Sequence, residues 1–379
     1  MITSLIVLTP KIKSIISSYL RNKLKEKLAN QYSFPDESSG EEFNSSRIVT
    51  DIEWIPSQPD LLLVSYDKGE RREDSEQEGL INIWSTSMRT KPNISLIFQS
   101  EITKAISNPF NPNEIIGGTY AGYVVIWDIR AKKTPVQKSQ LNGEGHSYPI
   151  YSLTVLGSDR TSNIVSVSGN GKLCVWPMGM LTSPQRALDL KYNAKEVCVT
   201  CMEFPQNERN EFYVGAEDYL LYSAEIQTTV DIGKENPGVI DAYQSHNAPI
   251  TSLSLHPMQP NWYNSLEYQR LILTSSMDWT IKMWNPRTSK FPIALFESSQ
   301  DYVFDVKWSP THPSVFVSCD IEGYVDIWDL NTDMETPVLH HRKTPGAIHR
   351  LAWSPDGKRL ATGGVNGLVH IYNTDKEVM

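Results

Sequence analysis

His246, Ser275 or Ser276, and Asp278 stand in chain order ahead of Trp284. A serine, a histidine and an aspartate can together run acyl transfer, the histidine acting as base and the carboxylate orienting it. The same residue types have a second use. Buried polar groups must find partners, and an imidazole, a hydroxyl, a carboxylate and an indole N–H can satisfy one another inside a strand-rich core. His146, Ser168, Asn170 and Trp176 repeat the order in thinner form. Neither set comes with the Gly-x-Ser-x-Gly elbow that presents a nucleophile, so structural stapling is the expectation for both.

Other patterns point the same way. Cys198-Val199-Thr200-Cys201 has the spacing of a zinc or redox pair, but zinc needs two more ligands, and Cys174 and Cys319 stand alone. Positions i and i+3 of a strand also face opposite sides of the sheet. Gly169-Asn170-Gly171-Lys172 lacks the spacing of a phosphate loop and leads into a strand rather than a helix. The eight histidines include no His-x-x-x-His pair. The reading is of no catalytic residue, no metal and no cofactor.

The elements that position these residues form a repeat. Seven short strands end in an aromatic: Trp84, Trp127, Trp176, Tyr222, Trp284, Trp328 and Tyr372, spaced by 43, 49, 46, 62, 44 and 44 residues. A four-stranded propeller blade has a period of roughly 40–45 residues. Such a unit cannot bury both faces alone, so copies pack side by side around an axis. A turn glycine recurs at one register before the aromatic, at Gly79, Gly122, Gly171, Gly323 and Gly367, where a tight hairpin favours positive φ. Blades four and five depart from it, with Ala216-Glu217 and Asp278-Trp279. The fold class expected is all-β, a seven-bladed β-propeller over residues 48–373, with a short amino-terminal amphipathic helix.

Residues 1–47 read as helix and linker. Ile12, Ile15, Ile16, Tyr19 and Leu20 form one helical stripe over 11–28, lined by six lysines and arginines, and 33–47 is polar. Only the tail 374–379 follows the last blade, so a closing strand is expected from residues about 40–48, tying the chain ends together. Residues 67–79 and 226–245 read as insertions. The net charge of −9 argues against a broad nucleic-acid footprint, and no apolar run is long enough to span a membrane. Four cysteines in strand-like sequence fit a reducing, cytosolic compartment without disulfides. Tyr120, Tyr148, Trp279 and Tyr302 fall in or beside turns that would share one face of the disc, and exposed aromatics of this kind favour protein binding.

The repeats resemble WD repeats, with literal Trp-Asp pairs at Trp127-Asp128 and Trp328-Asp329. Residues 114–128, Met180-Leu-Thr-Ser-Pro-Gln185, residues 274–284 and Asp301-Tyr-Val-Phe-Asp-Val-Lys-Trp-Ser-Pro-Thr-His-Pro313 together resemble cytoplasmic dynein intermediate chains across about 48–373. The resemblance implies a non-catalytic WD-repeat propeller that grips the dynein heavy chain, in the cytoplasm and on microtubules. It also implies a long amino-terminal arm for dynactin and light chains. Here 48 residues precede the first blade without a Thr-Gln-Thr motif, so those two partners are expected only if a longer arm exists; a truncated gene model or an internal start would account for its absence. Trp127-Asp128-Ile129-Arg130 supports a competing reading, a substrate receptor of a cullin-type ubiquitin ligase that meets its adaptor through Arg130.

Overall fold

Each repeat folds into one four-stranded antiparallel sheet, and seven such sheets make up the disc. The computed structural model describes residues 31–34, 47–67, 79–141, 144–158, 161–206, 208–227, 237–244, 246–257, 270–342 and 346–374. The helix expected over 11–28 and most of the insertion expected over 67–79 lie outside these residues. The innermost strands begin at Val49, Ile102, Ile150, Val199, Ile250, Val303 and Ile348. Each packs against the next, and Ile348–Trp353 meets Val49–Trp54 to close the ring. A two-stranded hairpin over residues 191–196 stands between blades three and four.

All seven innermost strands shift register at their second residue. A bulge of this kind bends the strand and redirects its side chains. Here it lets the first and fourth residues point together at the preceding blade. Val49 and Ile52 both lie against Gly363, and Ile150 and Leu153 against Gly118. The second-strand residue opposite the innermost strand's third is small in six blades: Ser65, Gly118, Gly215, Ser275, Cys319 and Gly363. A Cβ on Gly363 would come within 2.6 Å of both Ile52 and Val49, so the close approach of blades depends on its absence. The bulge threonines stitch the contact: Thr50 and Thr251 each donate through Oγ1 at 2.7 Å, to the carbonyls of Ile102 and Val303 in the next blade.

Six blades use four consecutive strands. The seventh takes three from the carboxyl end and its outermost from Gln31–Phe34, which pairs antiparallel with Val369–Tyr372. The ends are tied together, but the closing strand lies ahead of the expected 40–48. Of that segment, 40–46 falls outside the described residues, and Arg47 and Ile48 belong to no strand. The choice has a physical reason: the outer position needs an apolar residue to insert. Phe34 is fully buried and stacks on Trp84 with centroids 5.1 Å apart. Residues 40–46, Gly-Glu-Glu-Phe-Asn-Ser-Ser, lack the alternation of a half-buried strand.

Two further expectations change. The insertion expected over 226–245 is shorter, because Val239–Gln244 is the outermost strand of blade four. Blade four's register also moves by two. Trp127 sits opposite Ile115 and Trp284 opposite Ile272, but the corresponding partner of Phe212 is Ala224, not Tyr222. Tyr222 lies two residues earlier on the same side of the strand. Its ring meets Tyr192 of the 191–196 hairpin at 5.4 Å, which supplies bulk beside the vacant indole position.

Phe34→Ala removes the aromatic that seals the ring. It should cost about 3 kcal/mol, read as a shift in the denaturant midpoint. An unchanged midpoint would mean that the amino-terminal strand is not part of the cooperative unit.

Candidate binding face

In blade five His246 lies 2.9 Å from Asp278 through Nδ1 and 2.8 Å from the Thr274 hydroxyl through Nε2. Trp284 Nε1 donates to the same hydroxyl at 3.0 Å. The hydroxyl in this set is therefore Thr274 rather than Ser275 or Ser276. Strand geometry decides it, since neighbouring residues face opposite sides. Ser275 sits in the small-residue register and meets Thr251 Oγ1 at 2.9 Å, and Ser276 donates to the Ala248 carbonyl. Burial lowers the pKa of His246 against the pull of Asp278. Burial disfavours the Asp278 carboxylate, yet hydrogen bonds from His246, Thr280 and the Asn247 amide hold its pKa below the usual range. Thr274 is wholly buried, so the set ties a connecting loop to a strand with its hydroxyl sealed from solvent. Blade three repeats it with His146 between Ser166 and Ser168 at 2.6 and 2.9 Å, and burial lowers His146 to about 3.

The central channel, a cavity of about 550 Å³, is lined by the third and fifth residues of the innermost strands, among them Asp51, Glu53, Lys104, Cys201, Glu203, Asp305, Lys307 and Arg350. The four carboxyl groups among them bond the next blade's inner strand. Asp51 accepts from the Ala105 amide and from Lys104 Nζ at 2.8 Å. Glu53 accepts from the Ser107 amide at 2.6 Å, Glu203 from Leu255 at 2.9 Å, and Asp305 from Leu351 at 2.8 Å. The charges serve as staples between blades. Cys201 lines this wall while Cys198 is exposed at the disc face, and both are free thiols.

The face itself is built by one recurrent bond. The turn between a blade's second and third strands donates its first amide to the residue preceding the innermost strand. Tyr120 donates to Glu101, Gly169 to Pro149, Glu217 to Cys198, Met277 to Pro249, Ile321 to Tyr302 and Val365 to Ala347, at 2.9–3.2 Å. Turns and connections thus share one side of the disc. Tyr120 and Tyr148 are 58% and 55% exposed there, and Trp279 and Tyr302 are 51% and 41% exposed. Gly122 sits against the His146 and Tyr148 carbonyls, which brings the first two together; Trp279 and Tyr302 belong to blade five and the connection leading out of it.

Sequence reasoning missed two rings on this face. Tyr151 is exposed at the channel mouth, its ring against Gly169. Tyr219 occupies the turn of blade four and is 45% exposed. Its signal was present, since Asp218-Tyr219 repeats the Asp278-Trp279 pattern once Ala224 marks the register. Both turn aromatics carry backbone strain. Gly122, Gly171, Gly323 and Gly367 have φ of 88°, 82°, 89° and 70°; at the same register Tyr219 has 73° and Trp279 has 71°. Gly79 opens a strand instead. The left-handed region costs a residue with Cβ roughly 1–2 kcal/mol.

A ring of seven four-stranded sheets with buried indoles on the third strands is a WD-repeat β-propeller, and residues 336–373 match the family model described as WD domain, G-beta repeat. Residues 187–352 match the model for PAC11 dynein intermediate chain. The chain is also 36% identical over 339 residues to the cytoplasmic dynein 1 intermediate chain of Drosophila melanogaster, a match that covers 88% of this chain and 49% of that protein. It belongs to the dynein intermediate chain family, and it spans about half the length of the curated relative it matches. Arg130, the residue on which the ubiquitin-ligase reading turned, is folded back on its own repeat, with Nε and Nη2 donating to the two Asp128 oxygens at 3.1 and 3.0 Å.

Thr274→Val should cost about 1–3 kcal/mol, because it strands a buried imidazole nitrogen and an indole N–H, and Ser275→Ala should cost less. Chemical denaturation ranks the two; the reverse order would reassign the hydroxyl. A pH effect also follows. Burial lifts the Glu53 carboxyl from 4.5 to about 8, with Asp51 adding to the rise and the Ser107 amide and Lys104 opposing it. The folded state then holds a proton that the unfolded chain has released, so Glu53's contribution is full below about 4.5 and lost as the pH climbs through 8. Glu53→Gln, which cannot ionise, should gain in melting temperature over the parent between pH 5 and 8 and level off above. A gap that is flat with pH would place the carboxyl in bulk-like solvent.

Proposed function

We propose that this chain is a non-catalytic intermediate-chain subunit of cytoplasmic dynein, and that its propeller docks on the dynein heavy chain through the aromatic face. Its place of action is then the cytoplasm, on microtubules, with ATP turnover left to the heavy chain. Family membership supports the complex. The observation that carries the choice of face is the pair of exposed aromatics, Tyr219 and Trp279, held at positive φ where other blades place glycine. Strain of this kind persists where a function requires it, and neither ring is needed to fill the core. Light chains and dynactin, on the family resemblance, belong to an amino-terminal arm, and nothing on the propeller face is assigned to them.

The test separates docking from folding. Tyr219→Gly and Trp279→Gly relieve the strain, so stability should hold or rise by up to about 1 kcal/mol. Adding Tyr120→Ala and Tyr302→Ala to these should cut co-purification of the heavy chain at least tenfold from cells expressing the tagged full chain. Unchanged recovery moves the interface to the rim or the opposite side.

A further inference from the structure

The docking face has a charge as well as an apolar character. Its exposed acidic residues in the described turns, connections and last positions of the outermost strands are Glu144, Asp189, Glu196, Glu217, Asp218, Glu297 and Glu322; the exposed basic ones are Lys138, Lys195 and Arg342. Arg342 already lies over the Tyr324 ring, its guanidinium carbon 5.3 Å from the centroid. Carboxylates and rings are interleaved along the chain and around the face. Glu217, Asp218 and Tyr219 are consecutive, and the Glu217 amide bonds the Cys198 carbonyl beside Glu196.

A purely apolar ligand would leave these carboxylates to be desolvated without partners, which is costly. An anionic ligand would be repelled. A cationic side chain uses both features, its charge over the face of a ring and its N–H groups on the neighbouring carboxylate. Arginine suits this best, since its planar fork stacks and bonds at once.

We propose that this face takes a lysine- or arginine-bearing segment of the heavy chain, its cationic groups lying over the exposed rings and between the carboxylates of Glu144, Glu217 and Glu322. This rests on the docking reading above. Complementarity of charge governs encounter rate and partner choice more than it does final affinity, so its signature is salt dependence.

The experiment measures binding of the full chain to a purified heavy-chain tail at 50 and 300 mM NaCl. Three proteins are compared: the parent, the triple variant Glu144→Gln/Glu217→Gln/Glu322→Gln, and the same three sites changed to lysine. The parent should weaken at least tenfold between the two salts. The glutamine variant should bind about tenfold more weakly at 50 mM, with a flattened salt response, and the lysine variant should fall further, each melting as the parent does. Binding by the parent that ignores salt and all three substitutions, or that tightens when the charges are removed, overturns the cationic partner and leaves docking intact. Failure of the parent to bind the tail at either salt overturns the docking reading, and this inference with it.

Discussion

The structure depends on how each innermost strand disposes of its second edge. One edge is paired within the blade. The other faces the channel and the neighbouring blade, with backbone amides and carbonyls that need partners. Side chains of adjoining blades supply them: Asp51, Glu53, Glu203 and Asp305 accept amides, while Thr50, Thr103, Thr251 and Ser152 donate to carbonyls. The same rule closes the ring, where Arg350 Nε donates to the Thr50 carbonyl at 3.0 Å and Trp54 Nε1 to the Ala352 carbonyl at 3.1 Å. Seven interfaces therefore use one chemistry, although the residues that perform it differ from blade to blade. Channel groups that could pass for a ligand site, Asp51, Glu53, Glu203, Asp305 and Arg350, are engaged by this edge.

From that constraint the repeat acquires its small-residue register. Stapling edges together requires backbones to approach, and approach favours Gly, Ser or Cys behind the bulge, as in six of the seven blades. Val167 is the exception, in blade three, where Ile150 still pairs across the same bulge. Apolar packing then follows between sheets. One cluster joins Phe34, Val369 and Ile371 of blade seven to Val49, Leu62 and Trp84 of blade one. The chain's two ends share a core as continuous as those between neighbouring repeats.

The blade count, the family and the turn glycines were legible in the sequence because each leaves a periodic mark. What escaped was register. Tyr222 was read as the closing aromatic of blade four because it ends an apolar run, whereas the ladder places Ala224 there and moves the turn to Tyr219. Ser275 was read into the histidine set by composition, where a period of two assigns Thr274. The closing strand was sought next to the first blade because chain economy favours a short link, but burial of Phe34 against Trp84 decides in favour of Gln31–Phe34. In each case a contact between residues distant in sequence overrode a local signal.

The aromatic face brings these strands of argument together. A rigid disc gives its turns little freedom, since each is fixed by an amide to the connection beside it. Such a turn can carry a side chain at low entropic cost on binding, because the chain there is already ordered. Glycine is the low-energy solution at this register, and blades two, three, six and seven adopt it. Tyrosine and tryptophan at the same φ must therefore be compensated elsewhere, and the packing of the blade beneath supplies the compensation: Leu221, Tyr243, Ile250 and Trp284 form a closed cluster under the two turns. Packing beneath thus holds two strained turns whose rings stand in solvent, and the backbone that carries each ring is fixed by the fold itself.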